Sequence, residues 1–192
     1  MNIKWRYGLA FPLTLSLVLG GLTAWLGSIS QVQTEEVRLD PDKPQYTMNG
    51  IAGKRFDETG RLKEHLTAEQ AWQFPDDKNV HLGRPNLDMY QEGKLLYQIG
   101  SEEAVYHTES KQIAFEQQVV LTKPADHRPA GIVRTDHLYV DTQNQTARTE
   151  AQVAFEYGDS HGTANGMTYD HRQGLLNFPS KVKAIIYDAK TL

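Results

Sequence analysis

The chain has no cysteine among its 192 residues, so disulfides and thiolate chemistry are excluded and the fold rests on its core and its backbone hydrogen bonds. It has no excess of positive charge either, with 20 Lys+Arg against 24 Asp+Glu. All the acidic residues follow residue 29, together with 18 of the 20 basic ones, so that part carries 18 minus 24, or −6. This balance argues against nucleic acid as a partner, because a phosphate backbone needs a basic patch and none is visible. Catalytic signatures are missing as well. The histidines His65, His81, His107, His127, His137, His161 and His171 show no ligand spacing, so no metal is expected. Asp159, Ser160 and His161 have the residue types of a hydrolytic triad, but sequence neighbours cannot line up nucleophile, base and orienter, and the run reads as a loop bounded by Gly158 and Gly162. Asp76 and Asp77, following Pro75, read as a solvated turn. Nucleophile-elbow, phosphate-loop and dinucleotide motifs are all absent, so the chain reads as a non-enzyme without a cofactor.

Long apolar runs are scarce too, and there is one. Tyr7 to Ile29 is uncharged, preceded by Lys4 and Arg6 and followed by Glu35, Glu36, Asp40 and Asp42. As a helix, Leu9 to Leu26 spans about 27 Å, close to the ~30 Å hydrocarbon core. The flanking cations favour a cytoplasmic N-terminus with the rest of the chain on the opposite side. A cleaved signal peptide is the competing reading, since Ser28-Ile29-Ser30 is small-x-small. The run is longer than the ~7–15 apolar residues of a signal h-region, which favours a retained anchor. The expected organisation is an N-terminal end and transmembrane anchor over 1–29, a polar connector over 30–45 with Pro41 and Pro44, and one domain over 46–192.

That domain shows no sustained 3.6-residue period. Short runs rich in β-branched and aromatic residues alternate with Gly, Asn, Asp and Pro clusters, which predicts an all-β domain. The run Ala104 to Leu121 resembles Leu138 to Phe155 and, more loosely, Met167 to Ala184, with Val119, Val153 and Val182 in equivalent places. An earlier, degenerate copy runs from Leu66 to Met89. Each unit reads as strand, polar turn, strand, small break and strand, and a period near 30 marks a layered β architecture. Gly60 and Gly158 are expected at turns.

Within the runs, apolar residues fall at every second position, so one face is greasy. Alternation assigns to the interior Leu66, Trp72, Phe74, Leu87, Met89, Ala104 and Tyr106. It assigns Ile113, Phe115, Val119, Leu121, Leu138 and Val140 there as well, and Val153, Phe155, Met167, Tyr169, Phe178 and Val182. The same alternation serves a packed sandwich and a lined cavity. Two function classes stay open on these grounds: a membrane-tethered β scaffold that recruits partners through sheet edges without binding lipid, and a module whose greasy interior accepts a hydrophobic ligand.

Several features together resemble the LptC family of lipopolysaccharide export proteins. These are the anchor and Pro-containing connector, the opening hairpin Phe56-Asp57-Glu58-Thr59-Gly60-Arg61-Leu62, and the set Leu66, Ala68, Ala71 and Phe74. Pro85 and Leu87, and the spacing of Lys111, Phe115, Val119 and Leu121, complete the pattern. The resemblance covers the whole chain and implies a twisted, partly open antiparallel β-jellyroll behind a single transmembrane helix in the Gram-negative inner membrane, with the domain in the periplasm. It implies an interior slot for lipid A acyl chains. It also implies receipt of lipopolysaccharide or lipooligosaccharide from an ABC transporter (LptB, LptF and LptG) and delivery to the bridge protein LptA. With the last strand-like run, Val182, Lys183, Ala184, Ile185, Ile186 and Tyr187, this makes the C-terminal edge the expected LptA site. The N-terminal edge near Tyr46 to Phe56 and the anchor helix are the expected contacts with the transporter.

Overall fold

The computed structural model describes residues 4–29, 40–126 and 128–187, with side chains from Phe11 onward. His127, most of the connector and Lys190 therefore lie outside the described residues. The chain divides into two compact units, Met1–Arg38 and Leu39–Leu192, and each is described by itself.

The first unit is one helix, α1 (Lys4–Ile29), whose stretch Phe11–Ile29 is long and apolar enough to cross a membrane. Its leucines from Leu13 to Leu26 and Trp25 are exposed all round, the mark of a helix suited to apolar surroundings. Two of its hydroxyls bond to the helix itself: Thr23 Oγ1 donates to the Leu19 carbonyl at 2.6 Å and Ser28 Oγ to the Trp25 carbonyl at 2.8 Å. Backbone carbonyls within the helix thus satisfy polar groups that hydrocarbon cannot.

The second unit is an antiparallel β-jellyroll, with twelve strands among the described residues. They are β1 (Tyr46–Phe56), β2 (Leu62–Gln73), β3 (Val80–Gly83), β4 (Asn86–Gln91), β5 (Lys94–Gly100) and β6 (Glu103–His107). They continue with β7 (Gln112–Lys123), β8 (Gly131–Asp141), β9 (Thr146–Tyr157), β10 (Ser160–Asp170), β11 (Leu175–Asn177) and β12 (Ser180–Ile185).

The six long strands each contribute to two layers. Residues 64–67 of β2 pair with β4, whereas 70–72 pair with β3. Residues 120–122 of β7 pair with β5, whereas 112–116 pair with β6. One layer therefore runs β1-β2-β4-β5-β7-β8-β9-β10-β12, and the other runs β1-β2-β3-β6-β7-β8-β9-β10-β11. The crossing between layers is made by bulges. Gln117 and Gln118 of β7 both have positive φ, at 60° and 55°, and β10 turns at Gly166 with φ 82°. Such insertions bend a strand and sharpen its twist. The Glu102 amide donates to the Gln117 carbonyl at 3.0 Å, so the bulge leaves that acceptor satisfied.

Between the layers lies a core in which Ile99, Phe115, Val119, Val140 and Val153 are fully buried, with Leu82, Leu87, Met89, Leu138 and Met167 around them. The expected loop over Asp159 to His161 is corrected here. Only Gly158 and Asp159 turn, and Ser160 and His161 already pair in β10, His161 opposite Glu156. Gly158 reverses the chain at φ +57°, which lets Tyr157 and Ser160 face each other with no longer loop. Gly60 has φ +79° in the turn between β1 and β2, where the Asp57 carboxylate accepts from the amides of Thr59 and Arg61.

Candidate functional site

The layers separate toward β8–β12, and a cavity of about 550 Å³ is lined by both. One wall is Leu121 of β7, Ile132 and Val133 of β8 and Phe155 of β9, and the other is Met167 and Tyr169 of β10, Leu176 of β11 and Phe178. Phe155 and Phe178 stack across the gap with centroids 4.5 Å apart and planes at 17°. Gly162 of β10 makes that stacking possible. A Cβ there would stand 2.5 Å from the Lys183 carbonyl and 2.6 Å from the Phe155 ring, so only glycine lets β12 and Phe155 approach together.

Polar groups stand at two places on the cavity. At its rim are Lys123 and Arg128. The Lys123 ammonium lies 3.3 Å and the Arg128 guanidinium 3.7 Å from the Asp126 carboxylate, leaving the trio with one net positive charge. Glu156, also at the rim, is paired with Arg134 at 2.5 Å. The second place is a chain of side chains joining the layers. Gln91, at the end of β4, meets His171 Nε2 at 3.1 Å, and Tyr169 Oη meets His171 Nδ1 at 3.3 Å. Burial lowers the His171 pKa against the opposing charge of Asp170, favouring the neutral ring. Burial raises the Tyr169 and Tyr97 hydroxyl pKa values. Tyr97 of β5 is 3% exposed, lines the same cavity and packs edge-on to Tyr169 with centroids 6.3 Å apart.

Of the residues that alternation assigned to the interior, Leu121, Phe155, Met167, Tyr169 and Phe178 line this cavity. Leu87, Met89, Ala104, Ile113, Phe115, Val119, Leu138, Val140 and Val153 belong to the packed core, and Leu66 and Tyr106 pack beside it half-buried. Trp72 and Phe74 lie elsewhere, around His81: Trp72 stacks on its ring with centroids at 5.7 Å and Phe74 meets it edge-on at 5.4 Å. Val182, on β12, is 50% exposed. The cavity residues that the sequence reading did not name include Leu96, Tyr97, Ile132, Val133 and Leu176. A usable signal existed for Tyr97, which alternates with Ile99 in the run after Gly93.

Among the described residues β1, β11 and β12 each have a single partner strand and so leave an edge free. β1 pairs only with β2 and exposes Tyr46, Met48 and Phe56. β12 pairs only with β10, and Val182, Ile185, Ile186 and Tyr187 are exposed along it and just beyond. Ile186 belongs to both features, since it lines the cavity next to the free edge. Among the described residues there is no cluster of metal-binding side chains. The arrangement combines an apolar container, a rim that carries Lys123 and Arg128, and a free strand edge beside it.

The family described as "Lipopolysaccharide-assembly, LptC-related" matches residues 13–188, nearly the whole chain. No curated protein matches the chain.

Proposed function

This chain belongs to the LptC-related family and takes part in lipopolysaccharide transport, and from that premise we propose that the cavity between its layers carries the acyl chains of the glycolipid. The carrying observation is the cavity itself, about 550 Å³, walled by Leu121, Ile132, Phe155 and Phe178 and open beside the free edge of β12. Burying an acyl chain gains ~0.8 kcal/mol per CH₂, so a chain of about twelve carbons in water costs about 10 kcal/mol and needs a shielded path. Lys123 and Arg128 at the rim suit the phosphorylated sugars to which such chains are attached.

In this reading α1 anchors the protein in the Gram-negative inner membrane with Lys4 and Arg6 on the cytoplasmic side, and the jellyroll stands in the periplasm. The protein receives lipopolysaccharide or lipooligosaccharide from the ABC transporter formed by LptB, LptF and LptG, which contacts the β1 edge and the helix. It passes the lipid to LptA, which extends the sheet from β12. The position of Ile186, shared by the cavity lining and the β12 edge, supports a lipid path that continues into the partner.

The test is photo-crosslinking in cells from positions on the cavity wall, Leu121 and Phe178. Both should attach lipopolysaccharide, whereas Phe115 and Val153, fully buried in the core, should not. Attachment from neither wall position would leave the protein as a tethered scaffold.

A further inference from the structure

Deep in the cavity, the Tyr97 side chain presents a hydroxyl that no protein group pairs among the described residues. Tyr97 is 3% exposed and lines the cavity, yet its Oη makes no hydrogen bond among the described residues. Its oxygen is not sealed in, since the enclosed side-chain polar atom without a partner among the described residues is Arg55 Nε; it opens on the cavity, and an apolar ligand that covered it would leave its hydrogen bond unmade at a cost. Its neighbour Tyr169 is differently placed. The Gln91 Oε1 only accepts, so His171 Nε2 carries the proton and donates to it, and Nδ1 of the neutral ring is left as an acceptor. Tyr169 Oη therefore donates to Nδ1 and keeps its lone pairs for another donor. The neighbouring pair thus offers one free O–H, from Tyr97, and one free acceptor, on Tyr169, on rings 6.3 Å apart.

We infer that Tyr97 and Tyr169 form a specificity subsite for a hydroxyl carried on the acyl chain, so that the cavity distinguishes 3-hydroxyacyl from plain acyl ligands. A carbonyl accepts only and would use Tyr97 alone, an unsubstituted methylene would use neither, and a hydroxyl donates and accepts and so satisfies both. The chain Tyr169–His171–Gln91 is the positioning element. It ties β10 to the end of β4 and fixes which way the Tyr169 proton points. The inference rests on the reading that the cavity holds acyl chains.

The experiment uses the full chain in phosphatidylcholine nanodiscs, titrated calorimetrically with N-(3-hydroxydecanoyl)glucosamine and with N-decanoylglucosamine, empty discs serving as the blank. The unsubstituted protein should bind the hydroxylated ligand about 3- to 10-fold more tightly, the range that one or two net hydrogen bonds supply. Tyr97→Phe keeps the ring and should remove most of that preference by weakening the hydroxylated ligand alone. Tyr169→Phe should reduce it too, so a folding defect in either variant does not decide the matter. Equal affinities in the unsubstituted protein, or a preference that survives in both variants, overturns the subsite while leaving the acyl reading intact. Binding of neither ligand above the blank overturns the acyl reading and the subsite with it.

Discussion

Two glycines of the β9–β10 hairpin differ in what an added methyl meets. Gly158 sits in the exposed turn at φ +57°, where an added Cβ would stand 3.1 Å from the Pro129 ring and no backbone atom, so Gly158→Ala costs the left-handed backbone penalty of about 1 kcal/mol plus a small shift of that ring. At Gly162 the methyl meets the backbone of β12 and the Phe155 ring, and Gly162→Ala should cost about 3 kcal/mol and also disturb ligand binding, because Phe155 is a cavity wall. Denaturant unfolding of the two variants should rank them in that order, and an equal loss would mean that β12 does not press on β10 here. Acid response is also set by single residues. The Asp57 carboxyl is held low first by the Thr59 hydroxyl, Asp77 by the Asn79 amide and Asp141 by the Asn144 amide. Their contribution is fully present above the ordinary carboxylate pKa of ~3.9 and is lost as pH falls through the lowered folded values. His171 acts in a higher window. Its folded pKa lies below the ordinary ~6.5, so the folded state takes up its proton later than the unfolded one, and stability falls as pH drops from ~6.5 toward the folded value. Melting temperatures measured from pH 7.5 to 5 should show this slope in the native protein and a shallower one in His171→Gln.

At the scale of elements, β12 is the strand whose role as an edge can be separated from its role in the fold. Adjacent residues of a strand send their N–H groups to opposite sides, so of Ala184→Pro and Ile185→Pro one removes a donor shared with β10 and the other a donor on the free side. The first should lower stability. The second should leave the fold intact and weaken capture of LptA severalfold in a pull-down with the full chain. Wild-type capture by both would move docking to another edge. The strands also show where a sequence reading holds and where it slips. Alternation placed Ile113, Phe115 and Val119 inward because β7 keeps that parity through its bulge. In β8 the buried set is Val133 and Thr135, then Leu138 and Val140, one step out of phase across the register shift between Thr135 and Tyr139. A ruler laid backward from Leu138 lands on Asp136 and Arg134, both exposed, and so misses Val133. In β10 the same slip at Gly166 separates buried Ala164 from buried Met167. A one-residue slip of this kind is tertiary geometry, and neither Asp136 and His137 in β8 nor the residues around Gly166 in β10 announce it.

At the scale of the whole molecule, the apolar anchor and the all-β domain were legible because each is a periodicity or a length that the residues state directly. The cavity was not. Phe115 and Phe155 obey the same alternation, yet Phe115 meets a facing layer on all sides and Phe155 meets a gap, and that difference depends on how far apart β9 and β11 stand. The shared strands carry one more consequence. Since the two layers are opposite ends of the same six ribbons, they resemble the covers of a book bound along a spine of bulges at Gln117–Gln118 and Gly166. The width between the covers is then a torsional coordinate, adjustable by small rotations along the spine while every ladder on either cover stays whole.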